Sequence, residues 1–192
     1  MLLEKEIIDY DKYKEDIIHW VNLKGEYRYQ AIIYFLKERK IELSWDNITY
    51  YIKYDKRILI NSFKYIVFLE ELYKSFIKKN KEISQGNLLR YEFGRALTEY
   101  LSIGEAAEYD DIDLILLKAE EKTIIEYRNS VVHNKILLNH TYNGKQIDEV
   151  LNILVKVLPK SYRDGFVKDI NSCSKNITDD KWHIELIPTK EK

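Results

Sequence analysis

A chain of 192 residues is long enough to bury a continuous core as a single domain without disulfides or metal clips. Hydrophobic residues make up 45% and charged residues 33%, which excludes a disordered polar chain, while six glycines and two prolines are too few to punctuate an all-β fold. The net charge of −1 excludes a uniformly basic nucleic-acid binder, and one cysteine, Cys173, excludes both an intramolecular disulfide and a cysteine-based metal framework.

Leu3, Ile7, Tyr10, Ile17 and Trp20 recur at helical spacing over residues 3–21, and Gly25 interrupts the pattern before it resumes over 27–36. Ser44 and Asp46 are N-cap candidates for a short helix ending near Tyr51. Asp55 then precedes the strongest helical segment, 56–79, whose broad stripe of Leu59, Phe63, Ile66, Tyr73 and Ile77 suits the middle of a bundle. The stretch 84–87 reads as a turn, 88–101 as a helix, and the acidic run 108–113 as a loop and helix start. A further helix is expected over 112–138, with a restart or bend at Asn129-Ser130. Asn143-Gly144 is a turn, 147–158 a helix stopped near Pro159, 162–170 a last helix, and 182–187 a short extended tail. No repeat or linker divides the chain, so the expectation is an all-α, single-domain helical bundle over residues 1–192. The sixteen tyrosines are spread along the chain, which suits half-buried helix positions better than an RNA-stacking platform. The acidic N-terminus and the absence of a run of about 20 apolar residues lead us to expect a cytoplasmic protein without a membrane partner.

Of the four histidines only His133 stands in a context that suggests a reaction, the hexapeptide Arg128-Asn129-Ser130-Val131-Val132-His133. Chance supplies an Arg and a His at such spacing with a probability of roughly 0.4 in this composition, and Asn after the Arg lowers it to roughly 0.03. The two residue types supply a proton-transfer group and a phosphate clamp, which is all that metal-independent cleavage of RNA, the activity implied by the family resemblance of this hexapeptide, requires. RNA carries its own nucleophile, the 2′-OH, so the protein need only move protons and stabilise charge on the phosphate. An imidazole exchanges protons near neutral pH, and a guanidinium offers a charged planar fork for phosphate oxygens. His133 is therefore the proton-transfer candidate, Arg128 the electrostatic clamp and Asn129 a supporting residue. Five positions along a regular helix rotate by about 140° and rise by about 7.5 Å, so the two side chains do not share a face. Either the backbone bends near Asn129 and Ser130, or the site draws on more than one chain.

The hexapeptide resembles the R-x4-6-H motif of the HEPN superfamily of ribonucleases. Tyr27-Arg28-Tyr29 with Phe35, and Tyr54-Asp55-Lys56-Arg57 leading into Phe68-Leu69-Glu70-Glu71, are similar in layout to the Abi-like AbiD and AbiF branch of abortive-infection proteins. Lys74 stands where that branch more often has Arg. The resemblance covers a HEPN-like core of about residues 25–140, with additional C-terminal helices at about 145–175, and implies an endoribonuclease toxin or antiphage effector that needs no cofactor and no metal. It further implies an RNA substrate, a homodimer whose two motifs face each other in a composite groove, and silencing by a protein or RNA antitoxin. Position 135 is Lys rather than the Tyr of the HEPN/nucleotidyltransferase pairs, so control by modification of that tyrosine is not expected. Lys135 and Arg57 are RNA-binding candidates, and Lys53, Lys56 and Arg57, or Lys74, Lys78, Lys79 and Lys81, are candidates for a locally positive groove. The competing expectations are a catalytically silent HEPN-like adaptor or immunity protein binding RNA or protein, and a purely structural motif in which Arg128 pairs with a nearby acid.

Overall fold

Residues 2–104, 112–175 and 181–188 are described by the computed structural model, and among them are nine α-helices and no strand. The organising element is α3, Trp45–Asn80, 36 residues with no Gly or Pro, which reaches about 54 Å. The Ser44 hydroxyl starts it by accepting from the Asn47 amide at 3.3 Å. Its buried positions, among them Ile48, Tyr51, Tyr54, Ile58, Ile66, Leu69, Tyr73 and Ile77, follow the three-four spacing of one helix face from end to end. The expected pause between Tyr51 and Asp55 is absent. Asp55 is a fully helical residue whose carboxylate bonds a distant segment instead of capping a new helix.

Helices α1 (Tyr10–Lys24) and α2 (Glu26–Glu38) meet at Gly25, whose φ of 88° makes the sharp reversal that glycine tolerates. They pack on α3 together with α5 (Phe93–Gly104) and α7 (Glu121–Val132). The expected helix 88–101 is divided into the short α4 (Gln85–Leu89), capped by Ser84, and α5. Most of the acidic run at 108–113 lies outside the described residues; its last member, Asp113, caps α6 (Leu114–Ala119) through the Leu116 amide. The break within 112–138 falls at Glu120, which has left the helical region of φ and ψ, and α7 runs without interruption through Asn129 and Ser130. The Asn143-Gly144 turn is present, with φ of 50° and 84° and reciprocal backbone bonds between Tyr142 and Lys145 of 2.9 and 3.0 Å. Helices α8 (Ile147–Val157) and α9 (Lys160–Asn171) flank Pro159.

The tail follows the expectation of an extended segment, and its docking is specific. The Ile184 amide donates to the Tyr54 hydroxyl at 2.8 Å, the Tyr51 hydroxyl donates to the Trp182 carbonyl at 3.0 Å, and the Asn171 side-chain amide exchanges two bonds with the Leu186 backbone. Trp182 packs against Phe35 and beneath the Arg39 guanidinium. Tyr29, Tyr51, Tyr54, Tyr73, Tyr100, Tyr127 and Tyr142 are all buried core residues. No helix among the described residues is long and apolar enough to cross a membrane.

Candidate functional site

The hexapeptide occupies the last turns of α7 and the start of the segment that follows. Tyr127 and Val131 anchor the helix in the core, and the Tyr127 hydroxyl shares a 2.6 Å hydrogen bond with Ser62 of α3. Arg128, one residue on from Tyr127, is directed across to α3. Its Nη2 donates to Glu70 Oε2 at 3.1 Å, its Nη1 to Asn129 Oδ1 at 3.3 Å, and its guanidinium lies 5.6 Å from the centre of the Phe93 ring. Glu70 also accepts from Lys74 at 2.8 Å. Burial alone would raise the Glu70 carboxyl, but the hydrogen bonds from Lys74 and Arg128 outweigh it and hold the group below the usual carboxylate range. Arg128 Nε is buried and without a hydrogen-bond partner. Asn129 thus orients Arg128 rather than capping a restarted helix.

His133 is the C-cap of α7 and is exposed. The chain leaves the helix through a Schellman arrangement: the Lys135 amide donates to the Ser130 carbonyl at 2.9 Å and the Asn134 amide to the Val131 carbonyl at 3.2 Å. This motif demands a left-handed residue after the cap, and Asn134 supplies it with φ of 54°. Asn134 is then held from two sides, its carbonyl by Arg28 Nη2 at 2.8 Å and its side-chain oxygen by Lys56 Nζ at 2.7 Å. Three residues further on, the amides of Leu137 and Leu138 both donate to Asp55 Oδ1, at 2.7 and 2.9 Å. Asp55 is 2% exposed. Its desolvation raises the carboxyl to about 6, against the opposing effects of those two amides, Arg28 and Lys56.

These contacts place Asn134, the neighbour of His133, in the wall of a cavity of about 500 Å³ whose other polar lining is Lys24, Arg28, Lys53, Lys56, Arg57 and Asp55. A chain of net charge −1 therefore concentrates five cations in one concavity, where the single acid in the lining is turned toward backbone amides. The first of the two expected basic clusters, Lys53, Lys56 and Arg57, is in this wall. In the second, Lys74 is paired with Glu70 and Lys81 with Glu99. Arg57 lines the cavity while its Nη1 donates to the Cys173 and Lys175 carbonyls, at 3.1 and 3.2 Å. Lys135 is exposed beside the motif. His140, half-buried and edge-on to Tyr142, is lowered from its ordinary value first by desolvation and then by Lys135.

The candidate residues thus fall into two groups. Asn134, Arg28, Lys56 and Arg57 surround the cavity next to His133, whereas Arg128 and Asn129 face Glu70 and Phe93, and no hydrogen bond joins Arg128 to His133. Asn134 and Asp55 were not legible as site-forming residues: the helix was expected to run to 138, and an Asn beside the His is its one residue-type hint of the left-handed stop that the structure shows. Comparison with protein-family models, with curated proteins and with solved structures finds no match.

Proposed function

We propose that this chain is a metal-independent endoribonuclease of HEPN type, a toxin or antiphage effector in which Arg128 and His133 from two protomers form the RNA-cleaving site. The observation that supports the reading is a five-cation cavity whose wall includes Asn134, the residue that directly follows the exposed His133 in the chain. Such a concavity suits the sugar-phosphate backbone of a single strand, and supplies the local positive field that the net charge does not.

In the reaction the 2′-OH attacks the adjacent phosphorus, the bond from phosphorus to the 5′ oxygen breaks, and the products are a 2′,3′-cyclic phosphate and a 5′-OH. His133 removes the 2′ proton; a second copy of His133 across a dyad can deliver one to the departing oxygen. Arg128 stabilises charge on the non-bridging oxygens. Within one chain α7 is regular from Glu121 to Val132, so the rotation of about 140° between positions 128 and 133 is not removed by a bend. That regularity supports a site completed by a second copy. So does a row of exposed apolar side chains on α3, Ile60, Phe63 and Val67, on the same face as Glu70 and Lys74.

The test is cleavage of a single-stranded RNA in excess EDTA, with cyclic-phosphate termini as the product signature. Arg128→Ala and His133→Ala are each expected to abolish cleavage while leaving the helical circular dichroism unchanged; full cleavage by both refutes the proposal. The second reading, a silent adaptor or immunity protein in which the motif is structural, is favoured by one observation: the Arg128 guanidinium is engaged by Glu70 and Asn129, the pairing with an acid expected of a structural motif. It predicts RNA or protein binding without turnover in the wild type.

A further inference from the structure

Beside the basic cavity lies a second one of about 320 Å³, and the two share Lys24, Ile52 and Lys53 as lining. Its wall is aromatic: Tyr13 and Trp20 from α1, Tyr29 from α2 and Trp45 from α3. Tyr29 and Trp45 are 2% and 5% exposed and stack on each other with centroids 5.6 Å apart and planes 15° apart, forming a fixed floor. Trp20 is 38% exposed at the rim, with Lys24 Nζ 4.5 Å from its ring centre and His19 at its edge. Its burden of exposed apolar surface has no role in the core.

The two facing helices repeat one order of chemistry. Along α1 the lining runs Asp16, Trp20, Lys24 at intervals of four, and along α3 it runs Asp46, Thr49, Lys53 at intervals of three and four. On both, an aromatic ring (Tyr13, Trp45) and the acid lie at the end away from the basic cavity and the lysine borders it, and beyond the lysines come Arg28, Lys56 and then Asn134, the chain neighbour of His133. We infer that the paired cavities form a nucleotide subsite for single-stranded RNA, taking one base against the aromatic wall and its phosphates among Lys24, Lys53, Arg28 and Lys56. A nucleotide has a flat base with its donor edge at one end and phosphate at the other, and the lining has rings and carboxylates at one end and cations at the other. Carboxylates only accept hydrogen bonds, so Asp16 and Asp46 select a base edge rich in donors, and guanine, with adjacent N1–H and amino donors, fits them better than adenine, cytosine or uracil. An amino-acid side chain or a free anion would use one cavity and leave the other without purpose. The subsite rests on the ribonuclease reading only in naming the strand as a substrate; binding itself does not require cleavage.

The experiment uses the full chain and a fluorescein-labelled 2′-O-methyl hexanucleotide, five uridines and one guanosine, which the 2′-OH chemistry cannot cut. Trp20→Ala and Lys53→Ala should each raise its Kd roughly ten-fold, the scale of one lost base stack or phosphate contact, and Trp20→Phe should recover most of the loss. Replacing the guanosine by uridine should weaken binding to the wild type but not to Asp46→Asn. Kd values for Trp20→Ala and Lys53→Ala within two-fold of wild type, or a Trp20→Phe variant as weak as Trp20→Ala, overturn the subsite. The two readings separate cleanly: RNA cleavage by Arg128→Ala and His133→Ala defeats the ribonuclease assignment whatever the hexanucleotide does, whereas unchanged hexanucleotide binding defeats the subsite even when His133→Ala is inactive.

Discussion

Asp55 offers the sharpest test of how the chain holds the end of α7 in place. It is buried in the first third of α3, and one of its oxygens satisfies two backbone amides, those of Leu137 and Leu138. Desolvation lifts its carboxyl from 3.8 to about 6. Because the folded value lies above the unfolded one, the folded chain binds the extra proton more tightly. The stability from this group is fully present below about pH 4 and is lost as pH rises through about 6. At ~1.36 kcal/mol for each tenfold change in proton affinity, a rise from 3.8 to about 6 amounts to about 3 kcal/mol. Asp55→Asn keeps the acceptor oxygen and removes the buried charge, so it should match or exceed wild-type stability at pH 7 by up to about 3 kcal/mol, and the gap should close by about pH 4. Asp55→Ala leaves both amides without a partner and should cost about 2–4 kcal/mol at pH 7. Urea unfolding followed by circular dichroism at a series of pH values from 4 to 7 measures both. A wild-type minus Asp55→Asn difference that does not change with pH refutes the argument, as does an Asn variant as unstable as the Ala variant.

Three other outcomes are open to measurement. Glu70→Gln removes the charge that engages both Arg128 and Lys74 and, since all three are partly solvated, should destabilise by about 1–2 kcal/mol in denaturant titrations. The Glu70 carboxyl is held low when folded, so the stability it supplies is present above its ordinary value and declines as pH falls below it, the opposite slope to Asp55. At Asn134 the left-handed backbone makes Asn134→Ala costly by about 1–2 kcal/mol, whereas Asn134→Gly should lose less in thermal melts despite forfeiting the Lys56 contact. Phe63→Glu, at a position 45% exposed, should leave the melting temperature nearly unchanged and yield a monomer in sedimentation velocity under conditions where the wild type is dimeric; an unaltered dimer places the interface elsewhere.

The helical class was readable because apolar spacing near 3.6 recurs in every long segment, and the turn at Asn143-Gly144 because positive φ at two successive positions selects those residues. Boundaries went wrong where a polar residue had a long-range partner. Asp55 stood just before the strongest helical segment, and only the amides of residues 137 and 138 reveal its use inside a continuous helix. Asn129 and Ser130 looked like a break for the same local reason, yet Asn129 bonds Arg128 and Ser130 is packed in the core. The motif itself was visible as a pattern of residue types. Its surroundings were not, since the cavity that Asn134 borders is assembled from residues of α1, α2 and α3 that lie more than 70 positions earlier along the chain and carry no spacing that marks them as neighbours. Trp20 is the clearest case: its spacing suits a core stripe, and its position at the rim depends on how α1 meets α3.

The docking of the tail also has a kinetic side. Tyr54 receives its backbone partner from Ile184, 130 positions later, and Tyr51 from Trp182, 131 positions later. During synthesis α3 can wind as soon as it is made, because its own bonds are local, but the hydroxyl-bearing end of its buried face stays uncovered until the tail arrives. Arg57 waits likewise for the carbonyls of Cys173 and Lys175. Arg57, one wall of the basic cavity, is thus fixed only after residues 173–175 are in place, so a nascent chain acquires α1 to α3 well before that wall is set.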